Sequence, residues 1–401
     1  MKLLFILLLF QWGFADPTAL YLTWKEDPTT SMVIKWHTES SDHLSTVFYK
    51  KSKDSNWEKI QGSYKALLKE LAIHTVELRG LQPGTEYIFR LSPSTKEYLF
   101  RTMPTHLDQR SIRFAVGGDL YFYTTLFRRM NYQVASQQPD FVVLGGDLAY
   151  TLRHKGFFKG NHWEIRRLKT FFEEWSRAMI LTDGRLIPFI PVIGNHDYKQ
   201  KAMNALSVLE WFNDFFSFPT DQITYRHFDF GNYLRLFLLD TGHVHPIDGT
   251  QTEWLEKTLH EESPVFHKIA VYHVAAYPSV YKFTGSTPSK IRRLWSPLFE
   301  KYGVSFAFEH HNHAYKRTFP IKNEQMDPEG VIYLGDGSWG VEPRLPKEKW
   351  YLARAEGTNA FFFITLEESQ ISIQAIDNKG LVIDFHRQKA FKVNIDNNSL
   401  N

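Results

Sequence analysis

The sequence predicts two domains: an all-β sandwich, then an α/β domain whose two packed β-sheets are flanked by helices in an α-β-β-α sandwich. Three observations carry this. The 401 residues exceed one small domain and suit two of ordinary size. Residues 16–104 string short apolar runs between turn signals, whereas from 105 to 388 such runs alternate with helical stretches. Five of the later runs end in glycine, carboxylate, amide or imidazole, and open α/β sheets keep their chemistry at that end of their strands.

Residues 1–15 combine an early lysine, an apolar stretch and the small residues Gly13 and Ala15. This is the pattern of a secretory signal peptide cleaved near Ala15, and it is shorter than the roughly 20 apolar residues of a membrane span. The mature protein is expected to be exported, extracellular or periplasmic, without a stable membrane span. There is no cysteine, so an exported chain must draw stability from its core, a metal, or both. A net charge of +3, from 47 basic and 44 acidic residues, gives no reason to expect nucleic acid or an anionic membrane.

In the first domain, residues 19–24, 31–37, 46–50, 74–78 and 86–91 run or alternate at strand length. Pro83-Gly84 make a turn, and Tyr87 can return its hydroxyl to upstream backbone, the tyrosine-corner device. With Trp24 and Trp36 in order before it, this stretch resembles a fibronectin type III domain.

A polar linker follows Pro104. Beyond it, helical patterns fall at 124–137, 164–179, 252–262 and 288–302, and later strands at 331–334, 361–366 and 371–375 suggest a second sheet. Residues 389–401 read as a polar tail, with an Asn397-Asn398-Ser399 glycosylation triplet. The strand ends deliver Asp119, then Asp147 with Tyr150, then Asn195-His196-Asp197, then His273, and last His310-His311-Asn312-His313. Carboxylates, an amide and imidazoles converging in this way point to a metal site. Alternation within a strand or extended loop would set His311 and His313 on one side and Asn312 on the other.

This order of motifs resembles the metallophosphoesterase superfamily, and Tyr150 three residues after Asp147 resembles the purple acid phosphatases within it, as does a fibronectin-like leader. The resemblance implies two metal ions. Asp119, Tyr150 and His313 would hold one, Asn195, His273 and His311 the other, and Asp147 would bridge them. A phenol ligates at neutral pH only against a strongly polarising ion, which favours Fe3+ beside Tyr150; imidazole and amide suit Fe2+, Zn2+ or Mn2+. The implied activity is phosphate monoester hydrolysis by in-line attack of a hydroxide held on the metals. His196 is expected on the leaving-group side, with Asp197 fixing its tautomer and keeping it protonated.

Four positions depart from the family. Tyr121 and His310 stand where glycine is usual, and Lys282 with Phe283 replaces a histidine pair of plant members. Lys282, His310 and Tyr121 are therefore candidate substrate-binding residues. His243 and His245 have ligand-like spacing but fit no motif, so a pocket-rim role is expected. Diester or nucleotide pyrophosphate hydrolysis would use the same metals with different pocket walls. From another class, an exported binding or adhesion protein could carry an inactive metal domain.

Overall fold

The structure is a computed structural model that describes residues 16–107, 110–151, 163–198, 205–218, 224–261, 265, 267–335 and 337–389. Strands Ala19–Thr23, Met32–Thr38, Leu71–Leu78 and Ser63–Leu68 pair in one sheet of the first domain. Glu58–Gln61, Thr46–Lys51, Glu86–Leu91 and Tyr98–Arg101 make the other. Glu86–Leu91 alternates buried and half-buried residues, as expected for a strand with one face on a core. Trp24, Trp36, Val47 and Phe89 are fully buried in that core. At the corner the Gln82 amide donates to the Tyr87 hydroxyl at 2.9 Å, and Gly84 takes the left-handed φ of 62° that the turn requires.

The sandwich is spliced into the second domain. Thr23 pairs in parallel with Phe189, the Thr23 hydroxyl donates to the Phe189 carbonyl at 2.8 Å, and the Leu20 amide donates to the Ser176 hydroxyl at 2.9 Å. Tyr21 stacks on Phe172 with ring centroids 4.0 Å apart. One sheet of ten strands therefore runs from the first domain into the second.

In the second domain Ile112–Gly117, Phe141–Leu144 and Phe189–Pro191 run parallel, as do Leu234–Leu239, His267–Val274, Phe306–His310 and Ile332–Gly335 in the opposing seven-stranded sheet. One apolar core fills the space between the sheets. A second packs helices Thr124–Ser136, Trp163–Ala178 and Ala205–Phe216 on the first sheet, and a third packs Thr250–His260, Ser286–Leu294 and Ser296–Lys301 on the other.

Three details differ from the sequence reading. The pattern over 288–302 splits at Trp295, because Pro297 in the first turn of the next helix lacks the amide that would continue the ladder. Helix Ala205–Phe216 is absent from the sequence reading. Of the three late strands expected from the sequence, Ile332–Gly335 alone joins the second sheet. Ala360–Leu366 and Gln370–Asp377 extend the first, with Phe362 opposite Val116. The proposed signal peptide and glycosylation triplet lie outside the described residues.

Candidate metal centre and its cleft

The parallel strands bring their C-terminal ends together where the edges of the two sheets meet. The Asp119 amide donates to the Gly146 carbonyl and the Leu120 amide to the Asp147 carbonyl, both at 2.9 Å, so the first two turns brace each other. Asp119, Asp147, Tyr150, His311 and His313 all have left-handed φ, from 50° to 70°. Such backbone is costly for residues with a side chain and gathers at functional sites. His311 and His313 lie just past the end of strand Phe306–His310.

The side chains form two adjoining groups. In one, the Tyr150 hydroxyl donates to Asp119 Oδ1 at 2.9 Å and lies 3.4 Å from His313 Nε2, which is 3.0 Å from the same carboxylate oxygen. In the other, His273 Nε2 is 3.1 Å from Asn195 Oδ1 and 3.3 Å from Asp147 Oδ2. The His311 ring lies 5.2 Å from that of His273, and ligand atoms of Asp147, His273 and His311 all fall within 4.8 Å of one another. The two groups are linked through backbone: the His311 amide donates to Asp119 Oδ2 at 2.8 Å and the His196 amide to Asp147 Oδ1 at 2.7 Å.

These residues fit a cation by their donor chemistry. His273 Nδ1 is 2.9 Å from the Gly145 carbonyl, which holds the ring proton there and leaves the Nε2 lone pair free. Nε2 then faces two oxygen acceptors, and buried Asp147 Oδ2 has no hydrogen-bond partner. Three acceptors in contact require a proton or a cation between them. Burial lowers the pKa of the His273 imidazole, yet the Asp147 and Asp119 carboxylates outweigh it and raise the pKa to about 10. For Asp119, burial is outweighed by His313 and His273, and its carboxyl is held well below the usual range. Tyr150 is pushed well above a normal phenol, first by burial and then by Asp119 and Asp147. A negative, buried site of this kind attracts cations.

His196 lies beside this centre with its ring stacked on Tyr150, centroids 4.7 Å apart. Asp197 does not reach the His196 ring as expected. Its carboxylate accepts the Leu148 amide at 2.8 Å and the Gly194 amide at 2.9 Å, so it holds the turn that carries Asp147. His310 is not in the cleft either. Its ring is buried in the space left by two glycines; a Cβ on Gly145 would lie 1.9 Å from it. Tyr121 is likewise buried, edge-on to Phe127 and Phe171 with the Arg167 guanidinium over its ring, because its side chain turns toward the helices. Lys282 is exposed and lines a cleft of about 530 Å³ together with Asn195 and His311. His243 stands 5.7 Å ring to ring from His273.

Four supporting residues have roles that the sequence did not disclose. Asp240 accepts the amides of residues 242–245 at 2.7 to 3.0 Å and so fixes the loop bearing His243; like Asp119 and Asp147 it follows an apolar strand, the signal that could have flagged it. Glu309 and Lys316 form a buried pair beneath the 275–281 loop. Asn312 accepts the Val280 and Tyr281 amides at 3.0 and 3.3 Å, which ties that loop to the His311 turn.

Residues 17–102 match the purple acid phosphatase N-terminal domain, and residues 106–315 match the calcineurin-like phosphoesterases. The chain belongs to the calcineurin-like phosphoesterases and is purple acid phosphatase-like. It is 27% identical over 298 residues to purple acid phosphatase 15 of Arabidopsis thaliana, covering 69% of this chain and 55% of that protein, so it spans about half the length of that relative. It is 24% identical over 412 residues to human acid phosphatase type 7, covering 92% of this chain and 90% of the relative. A purple acid phosphatase from yellow lupin seeds shares the fold, with a TM-score of 0.76 at 18% identity over 92% of this chain and 73% of that one.

Proposed function

We propose that this chain is an exported phosphatase that hydrolyses phosphate monoesters at two cations. The observation that carries the reading is the meeting of His273 Nε2, Asn195 Oδ1 and Asp147 Oδ2, beside the Asp119, Tyr150 and His313 group. Kinship with phosphatases named for that activity supports it. Among the described residues no helix is long and apolar enough to cross a membrane.

In this reading Asp119, Tyr150 and His313 would hold Fe3+, Asn195, His273 and His311 would hold Fe2+, Zn2+ or Mn2+, and Asp147 would serve both. When bound, the cations supply Lewis-acid neutralisation of the phosphoryl oxygens and a nucleophile made from water near neutral pH. Gly145 sets the His273 tautomer, and Asp197 keeps the Asp147 turn in place. His196 donates its ring proton to the departing oxygen, and its position over Tyr150 aims it at the centre.

Elemental analysis, a visible spectrum and turnover of a chromogenic monoester and the matching diester test this. The expected result is two metal equivalents, a tyrosinate-to-iron band lost in Tyr150→Phe, and preference for the monoester. A colourless protein with full metal would remove the ferric assignment, and a diester preference would overturn the substrate reading. His196→Ala is expected to keep its metals and slow turnover by roughly a hundredfold.

A further inference from the structure

Resting on that reading, we infer that the preferred substrate is an aromatic phosphomonoester whose leaving group carries a second negative charge, the ring seated on Tyr281 and the charge facing Lys282. The cleft beside Asn195 and His311 is walled by Val274, Pro278 and Pro288, and none of its lining residues is acidic. Ser286 and Thr287 also line the cleft, but a polyol leaving group against Val274, Pro278 and Pro288 would exchange water for surfaces that cannot hydrogen-bond it, whereas a flat apolar ring gains by burial there.

Tyr281 is built as a platform. It is 41% exposed, yet its ring lies 5.1 Å from that of His311, at 32°. Its amide is tied to Asn312, its carbonyl accepts Lys349 Nζ at 3.0 Å, and its hydroxyl accepts the Arg344 guanidinium. The Arg344 guanidinium lies over the ring as well, 5.4 Å from its centroid, and an aromatic held this firmly on every polar atom while still exposed suits contact with a ligand ring. Lys282 follows at the cleft mouth, and among the described residues its ammonium forms no ion pair. With Arg344 and Lys349 held on Tyr281 and no carboxylate among the lining residues, the Lys282 ammonium completes a positive wall that selects for an anionic substituent.

Calorimetry with the metal-loaded protein at low ionic strength tests this using phenylphosphonate, 4-carboxyphenylphosphonate and 2-hydroxyethylphosphonate, with turnover of the corresponding phosphate esters run in parallel. The carboxylated aryl ligand should bind about threefold to fivefold tighter than phenylphosphonate, the range of an exposed ion pair. Lys282→Met should erase that preference and Lys282→Arg restore it. Tyr281→Ala should weaken both aryl ligands about fivefold to tenfold without moving the hydroxyethyl ligand. Metal analysis of each variant separates loss of the wall from loss of the centre. Equal binding of all three ligands, with their esters still hydrolysed, would overturn the inference and leave the phosphatase reading standing; no binding and no hydrolysis would overturn both.

Discussion

Lys316→Met probes the framework that holds the cleft wall. Glu309 and Lys316 are 0% and 1% exposed. Glu309 Oε1 accepts the Tyr272 hydroxyl and the Ala276 amide, each at 2.7 Å, while Oε2 accepts the Lys316 ammonium, which also donates to the Tyr277 carbonyl at 2.6 Å. Room for the lysine stem exists because residue 335 is glycine; a Cβ there would lie 2.5 Å from Lys316 Cε. Burial pulls the Lys316 ammonium below its ordinary pKa, and Glu309 opposes that pull. Methionine keeps the length of the chain and removes the charge, leaving a buried carboxylate with neutral donors only. Breaking such a pair costs about 3 to 5 kcal/mol, a large share of the roughly 5 to 15 kcal/mol that holds a domain together. Urea unfolding of metal-free protein should show a midpoint lowered by about 1 M or more. The double variant Glu309→Gln with Lys316→Met should lose less than the single one, because it leaves no uncompensated charge. A single-variant loss under about 1 kcal/mol, or a double variant as weak as the sum of its parts, would refute the reasoning.

Other substitutions test other supports. Asn312→Ala leaves the Val280 and Tyr281 amides unpaired and should cost about 1 to 3 kcal/mol in urea unfolding, with aryl phosphonate affinity falling and hydroxyethyl affinity unchanged. Gly145→Ala drives a methyl group into the His310 ring and should cost about 1 to 3 kcal/mol, with metal content lowered because Gly145 also orients His273; full metal occupancy would contradict it. His74 is buried on Trp36 between the Ser45 and Thr38 hydroxyls, and burial lowers its pKa to about 4. The unfolded chain binds this proton below about pH 6.5 while the folded one does not, so the stability it contributes is complete above about 6.5 and drains away as pH falls toward 4. His74→Gln should flatten that part of the melting profile, and an unchanged slope would show that other groups set it.

The strand ends were legible because an apolar run closed by glycine and a polar residue says where a sheet stops and what it presents. Tyr87 was legible for a similar reason, as its turn partners sit within five residues. What stayed hidden depended on direction. Asp197 is next to His196 in the chain, yet consecutive side chains diverge, and its carboxylate went to the Gly194 and Leu148 amides. Tyr121 and His310 replace glycines near the site, but one turned toward Phe171 and the other filled the hollow at Gly118 and Gly145. No local pattern tells a strand such as Ala360–Leu366 which of two sheets it will join; pairing with Ile112–Gly117 decides that across more than two hundred residues.

The pairing of Thr23 with Phe189 makes the leading sandwich a flank guard. Trimming the chain to its second domain would bare hydrogen-bonding groups of Phe189–Pro191, the strand that runs on to Asn195. An uncovered border of that sort invites another chain to zip onto it. Shortened versions should therefore clump or loosen first at the Asn195 corner, and swapping in a foreign leader would succeed only if it offered a strand in the same alignment.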